Sequence, residues 1–277
     1  MKILLADSGS TKTEWTVLDN GSVAKSVFTE GINPNQADTA TIAKMLKASD
    51  AKSLKPDQIY FYGSGCGNLG GKNVVRAALE EVFGTTKVEV ESDLLGAARG
   101  LSRNERSIVA ILGTGASSCL FDGEKIVEQR PSLGFILGDE GSGASLGKAF
   151  IRKLLYKEIP DEVSDAFYAE FQFDKDAIIR RVYREAYPNR FLAAFCEFIS
   201  KHKTHASVNE VIRENFTALI KSQFSRYTDA KKTPIHFTGS VAYFFGEELV
   251  SLLNWNGYVA GKTEQSPMSG LIKYHTT

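Results

Sequence analysis

One pattern occurs twice along this chain, and few folds accommodate such a repeat. Residues 3–6 are an apolar run, followed by the small-residue turn Asp7-Ser8-Gly9-Ser10-Thr11-Lys12-Thr13. Residues 14–18 read as a return strand, Asp19-Asn20-Gly21 as a hairpin turn, and residues 22–28 as a third strand. About a hundred residues later the order returns. Residues 108–112 are apolar, Gly113-Thr114-Gly115-Ala116-Ser117-Ser118 is a small-residue turn, and residues 119–121 are strand. Asp122-Gly123 then turns the chain into a third strand at residues 125–129. A repeat at this distance points to a duplicated domain, because solenoid periods are far shorter. With 277 residues the chain can hold two such units.

The intervening segments alternate between strand and helix. Helices are expected at residues 35–49, 72–83 and 94–101, and strands at 59–62 and 88–90. Residues 140–230 carry helical periodicity, with Ile151, Leu154 and Leu155 on one stripe and Val211, Ile212, Phe216, Leu219 and Ile220 on another. A strand at 235–238, one amphipathic helix at 241–253 and a short helix after Pro267 complete the expectation. No long linker or low-complexity tract appears, so the α/β lobes should be closely joined.

Charge and cysteine content exclude several classes. Lys+Arg and Asp+Glu both number 33, so no global field draws in nucleic acid or an anionic membrane. The apolar start is interrupted at Asp7, too early for a signal peptide or a spanning helix. Cys66, Cys119 and Cys196 are odd in number and lack metal-ligand spacing, which suits a reducing cytoplasm. His202, His205, His236 and His275 show no metal spacing either, and packing is the default for each.

Backbone N–H groups that converge on a phosphate need small residues to let the backbone approach. Ser8, Gly9, Ser10, Thr11, Lys12 and Thr13 offer small side chains, hydroxyls and one cation. Gly113, Thr114, Gly115 and Ala116 offer the same without the cation. Asp7, at the end of the first strand, could hold Mg²⁺ directly or through water. Either turn alone is also readable as a plain tight hairpin; the matching pair with a preceding Asp favours phosphate binding.

These motifs resemble the N-acetylglucosamine kinase branch of the family shared with the ATPase activators of benzoyl-CoA reductase, in the actin/hexokinase superfamily. The resemblance runs through nearly the whole chain and is weakest from about residue 160 to residue 232. Asp7 to Thr13 is similar to the first phosphate motif, Leu112-Gly113-Thr114-Gly115 to the second, and Thr238-Gly239-Ser240-Val241 to the adenosine motif. The resemblance implies two ribonuclease H-like lobes, residues 1–105 and 106–277, with nucleotide between them, a helical insertion in the second, and the last helix packing back on the first. It also implies a cytoplasmic ATP- and Mg²⁺-dependent kinase acting on N-acetylglucosamine or a related amino sugar, with no nucleic acid or membrane partner, and leaves a homodimer open.

A sugar hydroxyl is a poor nucleophile, and a carboxylate that accepts its proton helps the transfer. The resemblance assigns that role to Asp93; the competing reading is a helix N-cap. In Leu137-Gly138-Asp139-Glu140-Gly141-Ser142 the resemblance makes Asp139 the carboxylate that bonds sugar hydroxyls, although both acids also suit the positive end of the following helix. Asn33, in Gly31-Ile32-Asn33-Pro34, matches the family's sugar-binding Asn and equally suits a turn. Thr114 is expected beside the sugar. Ser132 and Leu133 stand where the family's sugar kinases carry Gly-Trp, which bears on which sugar is bound. Near Thr204-His205-Ala206, where the adenine should be walled, the family's Gly-Asp is missing.

Two other functions compete. Gly65-Cys66-Gly67-Asn68-Leu69-Gly70 fits Gly-x-Gly-x-x-Gly, with Glu91 placed as a ribose-binding acid, which would make the chain an NAD-dependent dehydrogenase. The fingerprint normally opens the fold, whereas here three strands and a helix precede it. The other competitor is an ATPase that drives a partner protein. The iron–sulfur activators in that class use cysteines that this chain does not present in the expected form.

Overall fold

The alternation that marks strands in the sequence builds two five-stranded sheets. The computed structural model describes residues 1–276. In the first sheet β1 (Lys2–Ser8), β2 (Lys12–Asp19) and β3 (Ser22–Glu30) form an antiparallel meander, and β4 (Gln58–Gly63) and β5 (Val88–Ser92) add in parallel, in the order β3-β2-β1-β4-β5. Asn20 and Gly21 both take positive φ, 49° and 84°, as the tight β2–β3 turn requires. The second sheet contains β6 (Ser107–Leu112), β7 (Ala116–Phe121), β8 (Ile126–Gln129), β9 (Pro234–Thr238) and β10 (Val259–Glu264), ordered β10-β9-β6-β7-β8. Each sheet therefore shows the same succession of strands, which is the duplication read from the turns.

Helices cover the sheets. In the first half these are α1 (Thr39–Ala48), α2 (Leu69–Phe83) and α3 (Asp93–Ser102). The second half adds α4 (Gly134–Leu137), α5 (Gly143–Leu155), α6 (Asp161–Phe171), α7 (Lys175–Tyr183), α8 (Pro188–Ala193), α9 (Cys196–Lys201) and α10 (Ala206–Ser222). After β9 come α11 (Ser240–Phe244) and α12 (Gly246–Trp255), and α13 (Met268–Thr276) ends the described chain. On one face of the first sheet Leu4, Ala6, Trp15 and Phe61 pack with Ile42 and Leu46 of α1 and Val75 and Leu79 of α2. On the other face Leu5, Leu18 and Tyr62 pack with Met268 and Leu271 of α13.

The chain divides into two compact units. One comprises Met1–Val109, Phe121–Ile126 and the stretch from Ser266; the other comprises Ala110–Leu120 and Val127–Gln265. Cys66, Cys119 and Cys196 are all buried, and none of them is joined in a disulfide. No described helix is long and apolar enough to cross a membrane.

Several expectations need correction. The helix expected from residue 35 begins at Thr39, because the Asn33 carbonyl accepts from the N–H groups of Gln36 and Ala37 and Asp38 supplies the cap at 2.9 Å from Thr41 N. The single helix expected over 241–253 is two helices, broken at Phe245, whose backbone (φ −118°, ψ 23°) leaves the helical path as its ring enters the core. Strand β10 and the short helix α4 went unrecognised: β10 is polar, half-exposed and bulged between Ala260 and Thr263, so it has no alternation to read.

Candidate functional site

In the first unit the strand alternation continues into the glycine-rich turn. Ser8 and Thr13 keep the facing of Leu4, Ala6 and Trp15 and are fully buried. Their hydroxyls bond each other at 2.7 Å, Ser8 Oγ accepts from Ile32 N at 3.0 Å, and Thr13 Oγ1 donates to Glu30 O at 3.1 Å. The hydroxyls expected as phosphate donors are thus used to hold the β3 exit loop. Gly9 N donates to Lys12 O at 3.0 Å, and the outward side of the turn carries Ser10, half-buried, and Thr11, exposed. The Lys12 ammonium lies 4.6 Å from the Phe28 ring centroid.

Gly9 and Gly113 share a property that the fold does not explain. A Cβ at Gly9 would come no closer than 3.8 Å to Lys12 O, and one at Gly113 would meet nothing within 4 Å. Neither has a positive φ. Backbone and packing would accept a side chain at both turns, as they would at Gly67, so the bare backbone leaves room for close approach from outside. Gly9 N and Gly113 N themselves donate within their turns, to Lys12 O and Gly115 O at 3.0 Å each.

Asp7 stands on the opposite face from Ser8, directly across the hairpin from Glu14 and beside Tyr62 on β4. Burial pushes its carboxyl up to about 7, the charges of Asp93 and Glu14 add to the rise, and Lys12 opposes it. Asp93 is the first residue of α3. The cap that could have occupied it is made instead by Ser92, whose Oγ accepts from Leu95 N at 3.2 Å. One Asp93 oxygen, Oδ1, accepts from Leu94 N at 2.8 Å. Burial raises this carboxyl to about 6 against the pull of that bond. The Asp93 and Glu14 charges that bear on Asp7 are ones a cation would relieve. Among the described residues, however, no three such side chains stand close enough together to hold a metal ion, so Asp7 alone is left as the candidate Mg²⁺ contact. Glu14 was missed by the sequence reading; its pairing with Asp7 across the β1–β2 hairpin could have revealed it.

Asn33 makes an Asx turn, its Oδ1 accepting from Asn35 N at 2.9 Å, and a Cβ at Gly65 would fall 2.5 Å from that oxygen. The neighbouring Cys66 thiol is pushed up to about 12 by burial, with the Asp93 charge contributing. The dinucleotide reading of this loop fails. Strands β1, β2 and β3 are antiparallel where that fold has parallel βαβ units, and the carboxylate of Glu91 is paired with Lys72 at 2.6 Å.

In the second unit Asp139 is 7% exposed and its backbone is left-handed, φ 58°. Ser132 Oγ donates to its Oδ1 at 3.2 Å, and backbone N–H groups of Gly134 and Ala116 also bond the carboxyl. Burial raises its pKa, and the Ser132 and Gly134 bonds moderate the rise. Asp139 does not cap α5; Ser142 does, at 3.1 Å from Ser145 N. A Cβ at Gly115 would lie 2.9 Å from Asp139 Oδ2, so glycine there is what lets the carboxylate reach the Gly113–Gly115 turn. That turn is pinned to the start of α5, with Gly143 N and Ala144 N donating to the carbonyls of Gly113 and Thr114 at 2.8 and 3.1 Å. Gly239, φ 108°, rests on the backbone of Leu112 and Gly113, so the Gly239-Ser240 turn adjoins the same loop. Leu133 is 54% exposed and touches neither turn in any recorded bond.

Asp7, Asp93, Asn33 and the Gly9 turn are thus assembled in the first unit, and Thr114, Gly115, Ser132, Asp139 and Gly239 in the second. A proposed N-acetylglucosamine kinase of Porphyromonas gingivalis is 40% identical and superimposes with a TM-score of 0.93, over 99% of this chain and 98% of that one. A second proposed N-acetylglucosamine kinase, from Chromobacterium violaceum, gives a TM-score of 0.74 at 14% identity, with coverages of 99% and 98%. A ROK-family glucokinase from Streptomyces griseus, solved with glucose and AMPPNP, gives 0.64 at 15% identity, again over 99% and 98%. At such identities the last two establish a common fold. No protein-family model matches the chain, and no curated protein matches it.

Proposed function

We propose, from the premise that this chain belongs to the family of N-acetylglucosamine kinases and benzoyl-CoA reductase activators within the actin/hexokinase superfamily, that it is an ATP-dependent sugar kinase. The observation that carries this reading is the pair of turn glycines, Gly9 and Gly113, whose bare backbone nothing in the chain itself requires. Polyphosphate is the ligand whose recognition depends on such close backbone approach. An amino sugar is the proposed acceptor, a reading supported by the name of the 40% identical relative, a proposed N-acetylglucosamine kinase.

In this reading the N–H groups of the Gly9 and Gly113 turns, with the Ser10 and Thr11 side chains and Lys12, bind ATP phosphates. Gly239 and Ser240 serve the adenosine. Asp7 would hold Mg²⁺, which when bound with ATP supplies charge neutralisation at the phosphate oxygens. Asp93 accepts the proton of the attacking sugar hydroxyl; raised to about 6, its carboxyl is ionised at neutral pH yet more basic than an ordinary Asp. Asp139, pre-oriented by Ser132, Gly134 and Ala116, accepts hydrogen bonds from sugar hydroxyls, with Asn33 and Thr114 as further contacts.

A screen of hexoses and N-acetylhexosamines with MgATP tests the proposal. Sugar-dependent ADP release with one amino sugar preferred is the expected result, and Asp93→Asn should lower kcat by roughly 10²–10⁴ while ATP binding persists. ATP hydrolysis that no sugar increases would instead indicate an ATPase working on a partner protein. Full transfer by Asp93→Asn would remove the base assignment.

A further inference from the structure

Helix α13 returns to the sheet face that carries Asp7, and there it meets α3, whose first residue is Asp93. The contact is made without intervening side chains. A Cβ at Gly270 would run into the Gly100 carbonyl, and one at Gly100 would fall 2.7 Å from Pro267 O. One turn nearer Asp93, a Cβ at Gly96 would fall 2.7 Å from Tyr62 Cβ, so α3 lies directly on the Tyr62 side chain. Tyr62 is 1% exposed and pairs in register with Asp7 of β1.

Its phenol joins four elements. Arg99 Nη1, on α3, donates to the Tyr62 hydroxyl oxygen at 2.9 Å, and the same nitrogen lies 3.2 Å from Glu89 Oε1 on β5. On α13, His275 Nε2 lies 2.8 Å from that oxygen. A guanidinium only donates, so the phenol accepts from Arg99 and can donate its own O–H to His275 Nε2 when the imidazole is neutral with its proton on Nδ1. Burial and the Arg99 charge hold His275 down at about 4, consistent with that state. The imidazole also lies 4.0 Å, centroid to centroid, from the Tyr60 ring, and Arg99 lies 5.1 Å from the Tyr274 ring centroid.

We propose that Tyr62 and His275 are positioning residues for Asp93, locking the rotation and height of α3 on the sheet so that its first carboxylate stands at the proton it accepts. This rests on Asp93 being the base. Helix α3 has 10 residues, and the lock acts within two turns of its N-terminus. Backbone bonds fix β4 and β5. Helix α3 is held at its start by the chain leaving β5 and the Ser92 cap, and at its far end by the backbone approach of Gly100 to α13. Between the two it is held by Gly96 on Tyr62, the Arg99–Glu89 ion pair and this hydroxyl junction. Small misplacements of a catalytic group have large kinetic costs, about a hundredfold for 1 Å.

The test is steady-state kinetics with MgATP and the preferred sugar of the screen on Tyr62→Phe, His275→Ala and His275→Gln, each in wild-type and Asp93→Asn backgrounds, with Tm measured for all. Tyr62→Phe and His275→Ala should lower kcat about tenfold or more with both KM values within about twofold of wild type. His275→Gln, whose amide oxygen still accepts from the phenol, should restore most of kcat. In the Asp93→Asn background the same substitutions should change the residual kcat less than about twofold. An unchanged kcat in folded Tyr62→Phe overturns the proposal, as does an equal loss in the presence and absence of Asp93. Should His275→Ala not fold, Tyr62→Phe, which keeps its ring under Gly96, decides the matter. Failure of the base reading would look different, as wild-type turnover by Asp93→Asn alone, and would overturn this proposal with it.

Discussion

Asp7 faces Glu14 across the β1–β2 hairpin and also feels the charge of Asp93; both charges disfavour its ionised form and that of Lys12 opposes them. Such an arrangement costs stability whenever the carboxylates are ionised. With its folded pKa raised from 3.8 to about 7, Asp7 binds its proton more tightly in the folded chain, and stability declines as pH rises across that interval. Asp7→Asn should therefore raise Tm at pH 8, by roughly 2–4 °C for each kcal/mol recovered. With Asp7 in the proposed Mg²⁺ role, the variant should also lose transfer, and MgCl2 should raise the Tm of wild type but not of Asp7→Asn. A scanning calorimeter run at pH 8 with and without MgCl2 checks both; a Tm that falls in Asp7→Asn would contradict the site's electrostatics. Asp7, Asp93 and Asp139 were legible in the sequence because each sits where a strand ends or a glycine turn begins. The inward hydroxyls of Ser8 and Thr13 were not, since a run of small residues hides the fact that the strand alternation persists through the turn.

At the scale of elements, α13 depends on a neutral His275. Its pKa falls from 6.5 to about 4 in the folded chain, so stability is fully present above pH 6.5 and decays as pH drops toward 4. Urea unfolding at pH 7 and pH 5 should show wild type losing about 2 kcal/mol more than His275→Gln over that interval. Equal losses would show that the imidazole does not bear on folding. Most elements could be placed from sequence because their apolar period is clear, as in β1, β4, β6 and α10. Those missed had competing local signals. Phe245 has the spacing of a continuous helix but turns into the core, and β10 holds its register through backbone pairing to β9 and a bond from Lys262 N to His236 Nδ1 at 2.8 Å. Neither effect leaves a periodicity to detect.

At the scale of the molecule, the residues from Ser266 belong with the first unit although the second unit's chain precedes them. Deleting 266–277 would expose Leu5, Leu18 and Tyr62 and remove the burial of Met268 and Leu271, at ~2 kcal/mol per large side chain. Hydrogen exchange should then show lost protection in β1 and β4, with β9 and α10 retaining theirs; uniform loss throughout would refute this division of stability. The chain's own sequence determined the duplication, the strand–turn–strand units and the two glycine turns, because each is a local pattern of polarity and backbone freedom; the roles proposed for Asp93 and Asp139 came from the resemblance of their motifs. Tertiary structure alone decided which hydroxyls face inward, which acids repel one another, and that a phenol on β4, a guanidinium on α3 and an imidazole on α13 meet at one point. Those outcomes depend on contacts between residues as much as 213 positions apart, and no local pattern encodes a distance.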